Sequence, residues 1–497
     1  MKIVIRADAS AEMGGGHVVR CRSLAEALVA RGWAASFAVR VENLKTVRQL
    51  AGGLEVMPLS GPAHAEHDEL MRLLPDGCDL LLVDHYARGL DFERACRSWA
   101  KTIVAIDDFP DRPHDCDLLL DQTAGRHADD YAVQLPAGTP VLTGSMFALL
   151  RRQFARARWE LAGPGGFKAP RSSGPFRILV ALGATDPGNL TRTVLHALDH
   201  VDGEIAIDAV LSASAPHLDS VRATIAGSRH DARLHVDVAE MATMMVDADL
   251  AVGAAGSSAW ERCCLGLPTL AIQTAGNQRD ILAGLVEAGA AAVAGPDDSS
   301  VAAAAKALIG DLSRLGLMRR AALALCDGLG AERLAVWLGP PVFARDGRRV
   351  SLLPVEDADA ATLLAWQHDP GTRRHARVSD IPNETEHMAW FALRRADPGC
   401  VLNMVNHGDT RAGIVRLDRR TDRDGFEVSI VTAPEKRGIG IARAALALVR
   451  ELLPETRLLA YISSANEASL SLFAASGYRP LGEDWYENRP AGDAPRT

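Results

Sequence analysis

The stretch AEMGGGHVVRCRSLAEAL, Ala11–Leu28, follows the apolar run KIVIRAD (Lys2–Asp8) and is closed off by Gly32. The run before it has strand length. After the glycines, Val18, Cys21, Leu24, Ala25 and Leu28 recur at helical spacing. The pattern predicts a strand, a glycine turn and an amphipathic helix, the opening unit of a parallel sheet covered by helices. Gly14, Gly15 and Gly16 allow positive φ and a close approach of backbone to a ligand. Free N–H groups at a helix start suit a phosphate. An unperturbed imidazole titrates at about pH 6.5, so a histidine at position 17 can take a proton from water. The alternative is a tight turn whose histidine caps the helix.

The alternation continues. DLLLVDHY (Asp79–Tyr86) and TIVAIDD (Thr102–Asp108) are apolar runs ending in polar residues. Farther on, FRILVALG, IAIDAVLS, ARLHVDV, LAVGAAG, TLAIQT and AAAVAG are predicted strands with helical patterns between them. Two doubly wound α/β domains in tandem place a ligand beyond the carboxyl ends of their strands. Stretches rich in Gly, Pro and Ser at Leu161–Phe176 and Leu338–Arg349 act as linkers. The expected segments are 1–160, 161–337 and 348–490, before a polar tail.

Composition narrows the function. A chain of 497 residues exceeds one core and suggests about three domains. With a net charge of −9 and no basic run interleaved with aromatics, a nucleic-acid partner is not expected. The eight cysteines are scattered without a C-x-x-C pair, so they are expected as free thiols, with neither a disulfide frame nor a zinc site. The chain starts without a signal-like segment and has no apolar run of about 18 residues. A cytoplasmic protein with no membrane partner is expected.

AVGAAGSSAWERCCLGLPTLAIQTAGNQ (Ala251–Gln278) is a second candidate site. Small residues lead to Ser257 and Ser258, whose hydroxyls at a helix start form an anion pocket. Glu261, one turn in, can accept hydrogen bonds from both hydroxyls of a ribose; alternatively, Ser258-x-x-Glu261 is a capping box that needs no ligand. Asn277 and Gln278 end the next strand with two amides able to read sugar hydroxyls, or form an ordinary polar turn.

These residues also carry a resemblance. GGGHVVRCRSLAEAL, LLVDHY, AIDD, LTGSMFALLRRQF and GAAGSSAWERCCLGLP…NQ resemble the PseG family, the UDP-2,4-diacetamido-2,4,6-trideoxy-β-L-altropyranose hydrolases of pseudaminic acid biosynthesis. The resemblance runs through most of residues 1–335 and implies the glycosyltransferase-B fold and metal-independent release of UDP from a nucleotide sugar. It implies that His17 is the base that activates water, and that Gly14, Gly15 and Gly16 line the substrate. By the same resemblance, Ser257, Ser258 and Glu261 hold the nucleotide, Met241 meets the uracil, and Asn277 and Gln278 lie beside the sugar. Asp84 and Tyr86 fall among the substrate-binding positions, with His85 where serine is more usual. UDP is a good leaving group, so one base can suffice where glycosidases use two carboxylates. The rival is a UDP-sugar glycosyltransferase, because Gly253–Gln278 also resembles MurG-like transferases. A non-catalytic binding module would leave His17 without a task.

Residues 348–485 change character. GFEVSIVTAPEKRGIGIARAALALVRELL (Gly425–Leu453) runs strand, loop, long helix. Its loop carries Arg437-x-x-Gly440-x-Ala442, a backbone nest that can hold a pyrophosphate. NEASLSLFAASGY (Asn466–Tyr478) sets Asn466, Ser469, Phe473, Gly477 and Tyr478 at helical spacing. Together they resemble the α+β GNAT acetyltransferases. That resemblance implies that Arg437, Gly438, Ile439, Gly440 and Ala442 bind the acetyl-CoA pyrophosphate and that Asn466 lies beside the pantetheine arm. Leu363–Phe391 is similar to PseH, the branch that acetylates the 4-amino group of the sugar nucleotide. Phe473 stands where many of these enzymes have a proton-donating tyrosine, leaving Tyr461, Tyr478 or an unassisted thiolate. Glu427 is a candidate for draining the amine proton through water, or a solvent-facing strand residue. The partners implied are UDP-amino sugars and acetyl-CoA, with no metal.

Overall fold

Every strand of the first sheet is parallel to its neighbours, as runs apolar on both faces require. It comprises β1 (Lys2–Ala7), β2 (Ala34–Arg40), β3 (Glu55–Leu59), β4 (Cys78–Asp84), β5 (Ala100–Ile106), β6 (Leu118–Asp121) and β7 (Val141–Thr143). Their order is β3-β2-β1-β4-β5-β6-β7. The structure is a computed structural model and describes residues 1–10, 13–163, 174–378 and 380–490. Ala11, Glu12 and the middle of the expected linker at Leu161–Phe176 lie outside the described residues.

The second sheet repeats the plan with all six expected strands. These are β8 (Phe176–Ala181), β9 (Ile205–Leu211), β10 (Asp231–Val236), β11 (Leu250–Ala254), β12 (Thr269–Ile272) and β13 (Ala291–Val293). The order β10-β9-β8-β11-β12-β13 is again parallel throughout. In both sheets the winding reverses beside the first strand, between β1 and β4 and between β8 and β11. A crevice opens at such a reversal because the crossover helices on its two sides lie on opposite faces. Ala7, the last residue of β1, is in register with Asp84, the last of β4, so the glycine turn and the VDHY turn flank one crevice.

The third sheet is mixed, as an α+β domain should be. It runs β14 (Val342–Phe343), β15 (Arg349–Pro354), β16 (Cys400–His407), β17 (Thr410–Arg420), β18 (Gly425–Thr432), β19 (Leu458–Tyr461), then β21 (Trp485–Asn488) and β20 (Arg479–Gly482). Only β18 and β19 pair in parallel, and only at Phe426↔Leu458 and Glu427↔Leu459. The long helix Ile441–Leu452 packs Ala445, Leu448, Val449 and Leu452 inward.

The chain forms two compact units, where three segments were expected. One comprises Met1–Ala157 and Lys168–Ala331 and holds both parallel sheets; the other comprises Arg158–Phe167 and Glu332–Thr497. The second unit thus begins before the expected linker does: the Trp159 ring meets Phe426 edge-on at 5.1 Å, within that unit. All eight cysteines are free and buried. Among the described residues, no helix is long and apolar enough to cross a membrane.

Candidate functional site

The glycine turn delivers His17 to the crevice. Of the three glycines only Gly14 has positive φ, at +76°. A Cβ on Gly15 would stand 2.8 Å from Leu50 Cδ1, and one on Gly16 would stand 3.2 Å from Ser257 Oγ of the second sheet's domain. The turn is therefore narrow at Gly15 and Gly16, and at Gly16 a side chain would press against the other half of this unit. The helix Gly16–Val29 has Gly15 as its N-cap with no side-chain cap bond, so His17 does not serve as a cap.

What His17 does instead is bond Asp84. Its Nδ1 lies 2.6 Å from Asp84 Oδ1, and the ring is 8% exposed. Asp84 is 1% exposed and both its oxygens are taken. Arg20 donates to Oδ2 through Nε at 2.7 Å and to Oδ1 through Nη2 at 2.7 Å, and the Cys21 thiol donates to Oδ2 at 3.3 Å. Burial opposes the charge of Asp84, but Arg20 and His17 hold its carboxyl well below the usual carboxylate range. The side chain read as a substrate contact thus faces the imidazole and Arg20. Beside an ionised Asp84, a neutral His17 ring takes the tautomer with its proton on Nδ1 and its lone pair on Nε2.

A second layer surrounds this pair. Arg20 Nη1 donates to both Asp108 oxygens at 2.9 Å. Tyr86 meets the His17 ring edge-on at 4.9 Å; its hydroxyl lies 3.5 Å from Asp108 Oδ2 and accepts from Asn277 Nδ2 at 3.3 Å. His85 answers the question posed by the missing serine. Its Nδ1 accepts from the Ala87 N–H at 3.0 Å, the two-residue reach by which a serine closes a turn, and its Nε2 lies 3.3 Å from Asp8.

The nucleotide-side residues gather at the start of the helix Ser258–Cys264. Ser257 is its N-cap with no side-chain cap bond, and the Ser258 hydroxyl accepts from Arg262 Nη1 at 3.2 Å. The capping box is not formed, because the helix begins one residue away from the register it needs. Glu261 is left with Arg151, 3.5 Å away, and burial pushes its carboxyl up. Arg151 also donates to the carbonyl of Ala239 at 3.2 Å, two residues before Met241, which opens the helix Met241–Asp247. Asn277 reaches the site, whereas Gln278 closes its own turn on Thr274 at 2.9 Å.

In the second unit the loop after β18 has the shape the motif requires. Gly438 and Gly440 have φ of +83° and +88°, Gly440 is the N-cap of the helix Ile441–Leu452, and no side chain caps it. Ile439 lies between the two glycines, its carbonyl accepting from the Arg345 N–H at 2.8 Å, and Ala442 is the second residue of the helix. Arg437 turns to Asp369 Oδ1 at 2.8 Å and Thr372 Oγ1 at 2.6 Å. Asn466 caps the helix Glu467–Ala475 through Ser469 N at 3.1 Å. That helix stops short of Gly477 and Tyr478: Gly477 takes φ of +83°, and Tyr478 packs edge-on against Phe473 at 4.8 Å. Glu427 is not solvent-facing. It is 6% exposed and holds Arg377 at 2.7 Å and Arg420 at 3.2 Å.

Sequence reasoning missed Arg20, Asp108 and Arg151, although all three lie inside motifs it singled out. Their signal was charge in an otherwise apolar frame: an arginine on the buried face of a helix, the second aspartate of AIDD, an arginine after FALL.

Two parallel Rossmann-like sheets with polar side chains gathered at their winding reversals, followed by a mixed sheet, have the architecture of a glycosyltransferase-B fold joined to a GNAT domain. Residues 349–479 match the family model of the acetyltransferase (GNAT) domain. The chain is 23% identical over 495 residues to an uncharacterized protein of Methanocaldococcus jannaschii, covering 96% of this chain and 97% of that one. It is 26% identical over 292 residues to the UDP-2,4-diacetamido-2,4,6-trideoxy-β-L-altropyranose hydrolase of Campylobacter jejuni, covering 58% of this chain and 97% of the hydrolase. In fold it resembles the crystal structure of Acinetobacter baumannii MurG, with a TM-score of 0.51, 14% identity, and coverage of 68% of this chain and 99% of that one.

Proposed function

We propose that the chain carries out two consecutive steps of pseudaminic acid biosynthesis. The GNAT domain transfers an acetyl group from acetyl-CoA to the 4-amino group of a UDP-4-amino-4,6-dideoxy-N-acetyl-altrosamine. The crevice of the first unit then hydrolyses the UDP-2,4-diacetamido-2,4,6-trideoxy sugar to free sugar and UDP. One observation carries the hydrolysis: His17 Nδ1 held by Asp84 Oδ1 at 2.6 Å, which leaves Nε2 as a base.

In this reading, water attacks the anomeric carbon while its proton passes to His17 Nε2. The bond from that carbon to the diphosphate oxygen breaks, and UDP leaves with the electron pair. No metal is called on. Ser257, Ser258 and the backbone at Gly14–Gly16 receive the nucleotide, Glu261 its ribose, Met241 its base and Asn277 the sugar. Asp84 orients the imidazole, and Tyr86 forms the wall beside it.

The loop of the second unit fits a pyrophosphate. A Cβ on Gly438 would meet nothing within 4 Å, and the helix start at Gly440 has no side-chain cap. Arg437, Gly438, Ile439, Gly440 and Ala442 would hold that part of acetyl-CoA, which supplies an activated acetyl thioester. Glu427, fixed by Arg377 and Arg420, drains the amine proton through water.

The test is purified protein with the diacetamido compound as sole substrate and a chelator present. UDP is expected, and His17→Ala is expected to lose about 10²–10⁴-fold in turnover while keeping its melting temperature. A variant retaining more than about a tenth of wild-type turnover would sink the role of His17. A need for a second sugar or lipid acceptor would establish the transferase reading instead.

A further inference from the structure

We infer that Arg20 is a positioning residue that sets the pH range in which His17 works, by sharing one guanidinium between Asp84 and Asp108. The inference rests on the reading of His17 as the base of the hydrolysis.

Arg20 stands one helical turn beyond His17, so both side chains leave the same face of the helix. Its guanidinium is 5% exposed and fully engaged, with Nε and Nη2 on Asp84 and Nη1 on both oxygens of Asp108. Nη2 comes within 3.4 Å of His17 Nδ1. A carboxylate alone at 2.6 Å would favour imidazolium, which has no lone pair for a proton. A guanidinium beside that carboxylate opposes imidazolium. With neutral His17, Asp84 and Asp108 contribute two negative charges and Arg20 one positive charge, so the imidazole faces a net single negative charge.

The other groups around the imidazole are neutral or turned away. Burial beside Asp84 pushes the Cys21 thiol up, and burial near Asp108 pushes the Tyr86 phenol up to about 12. His85 faces Asp8, and Arg112, 5.7 Å over the Tyr86 ring, is paired with Asp107 at 2.8 Å; Arg126, which donates to the Asp108 carbonyl at 3.2 Å, is neutralised by Asp121 at 2.7 Å and Asp280 at 2.9 Å. Asp84, Asp108 and Arg20 are therefore the charges that decide the proton affinity of His17. A lysine would restore the charge but not the fork, because one ammonium cannot meet all four carboxylate oxygens of Asp84 and Asp108.

The test measures two quantities in Arg20→Gln, Arg20→Lys and Asp108→Asn. One is the acid limb of the pH profile of kcat/KM for UDP release. The other is the titration of the His17 imidazole by proton–nitrogen NMR without substrate. Arg20→Gln is expected to raise the midpoint by about one pH unit or more, and Asp108→Asn to lower it. Arg20→Lys is expected to keep the midpoint near wild type with a lower kcat. Loss of packing alone cannot move the midpoint in opposite directions. Unmoved midpoints, or shifts of one sign in both Arg20→Gln and Asp108→Asn, overturn the inference. If Arg20→Gln does not fold, an unmoved NMR titration in Asp108→Asn overturns it. Shifted midpoints together with UDP release that survives His17→Ala would overturn the role of His17 as the base and leave the hold of Arg20 on its titration standing.

Discussion

Asn277 donates to the Tyr86 hydroxyl at 3.3 Å, joining the turn after β12 to the turn after β4 across 191 residues of sequence. The bond spans the two halves of the first unit beside His17. If it holds the crevice in register, Tyr86→Phe and Asn277→Ala should each lower kcat/KM for UDP release. The double variant should cost less than the sum of the two, by about 0.5–1.5 kcal/mol. Additive costs in that double-mutant cycle would mean that the two side chains act separately.

Glu261 is a largely buried carboxylate, 13% exposed, without a capping bond. Glu261→Ala should therefore leave the melting temperature unchanged or raise it, because a group whose charge burial disfavours is removed. KM for the UDP-sugar should rise more than kcat falls, since ribose contacts persist from ground state to transition state. A loss of about 0.5–2 kcal/mol of stability with KM unchanged would mark Glu261 as a helix-start residue only.

His114 lies between Glu93 Oε1 at 2.7 Å and Asp107 Oδ2 at 2.9 Å. Burial opposes its charge, but the two carboxylates prevail and raise it to about 9. In the unfolded chain the value is about 6.5, so the fold binds the proton more tightly. The resulting stability, of the order of 3 kcal/mol, is fully present below about pH 6.5 and lost as pH climbs through about 9. Urea unfolding of wild type and His114→Gln at about pH 6 and about pH 10 should show the gap between them shrinking. A gap that does not change with pH would mean that the buried ring is neutral.

Gly440 has φ of +88°, and a Cβ there would stand 3.2 Å from Arg345 Cγ. Gly440→Trp should therefore abolish acetyl transfer, measured as CoA thiol release, while hydrolysis of supplied diacetamido substrate continues. His17→Ala should do the reverse and accumulate the acetylated UDP-sugar. Loss of both activities in either variant would refute two independent sites.

Much of this was legible in the sequence where a property repeats at short range. Val18, Cys21, Leu24, Ala25 and Leu28 announce their helix because burial of one face imposes a period near 3.6. In the second sheet β8, β11 and β12 announce themselves because parallel strands covered by helices are apolar on both faces, and β9 and β10 by the alternation of their apolar residues. The Gly438–Gly440 turn is legible because positive φ all but requires glycine.

The competing readings of single motifs could not be settled in the same way. A capping box and a ribose carboxylate share one spelling at Ser258-x-x-Glu261, and only the helix register, one residue off, separates them. Asn466 looked like one position of a continuous helical face, yet it is the cap, because the helix ends at Ala475 and Gly477 turns left-handed.

The sequence by itself determined the strands, the helices, the glycine turns and the residue types at their ends, since these follow from local sterics and from which faces must be buried. Only the tertiary structure decided the partners. His17 meets Asp84 from 67 residues away and Arg20 meets Asp108 from 88, and Tyr86 acquires Asn277 from the other half of the unit. Winding order and sheet register bring those charges together, and buried charges must then pair, whatever their distance along the chain.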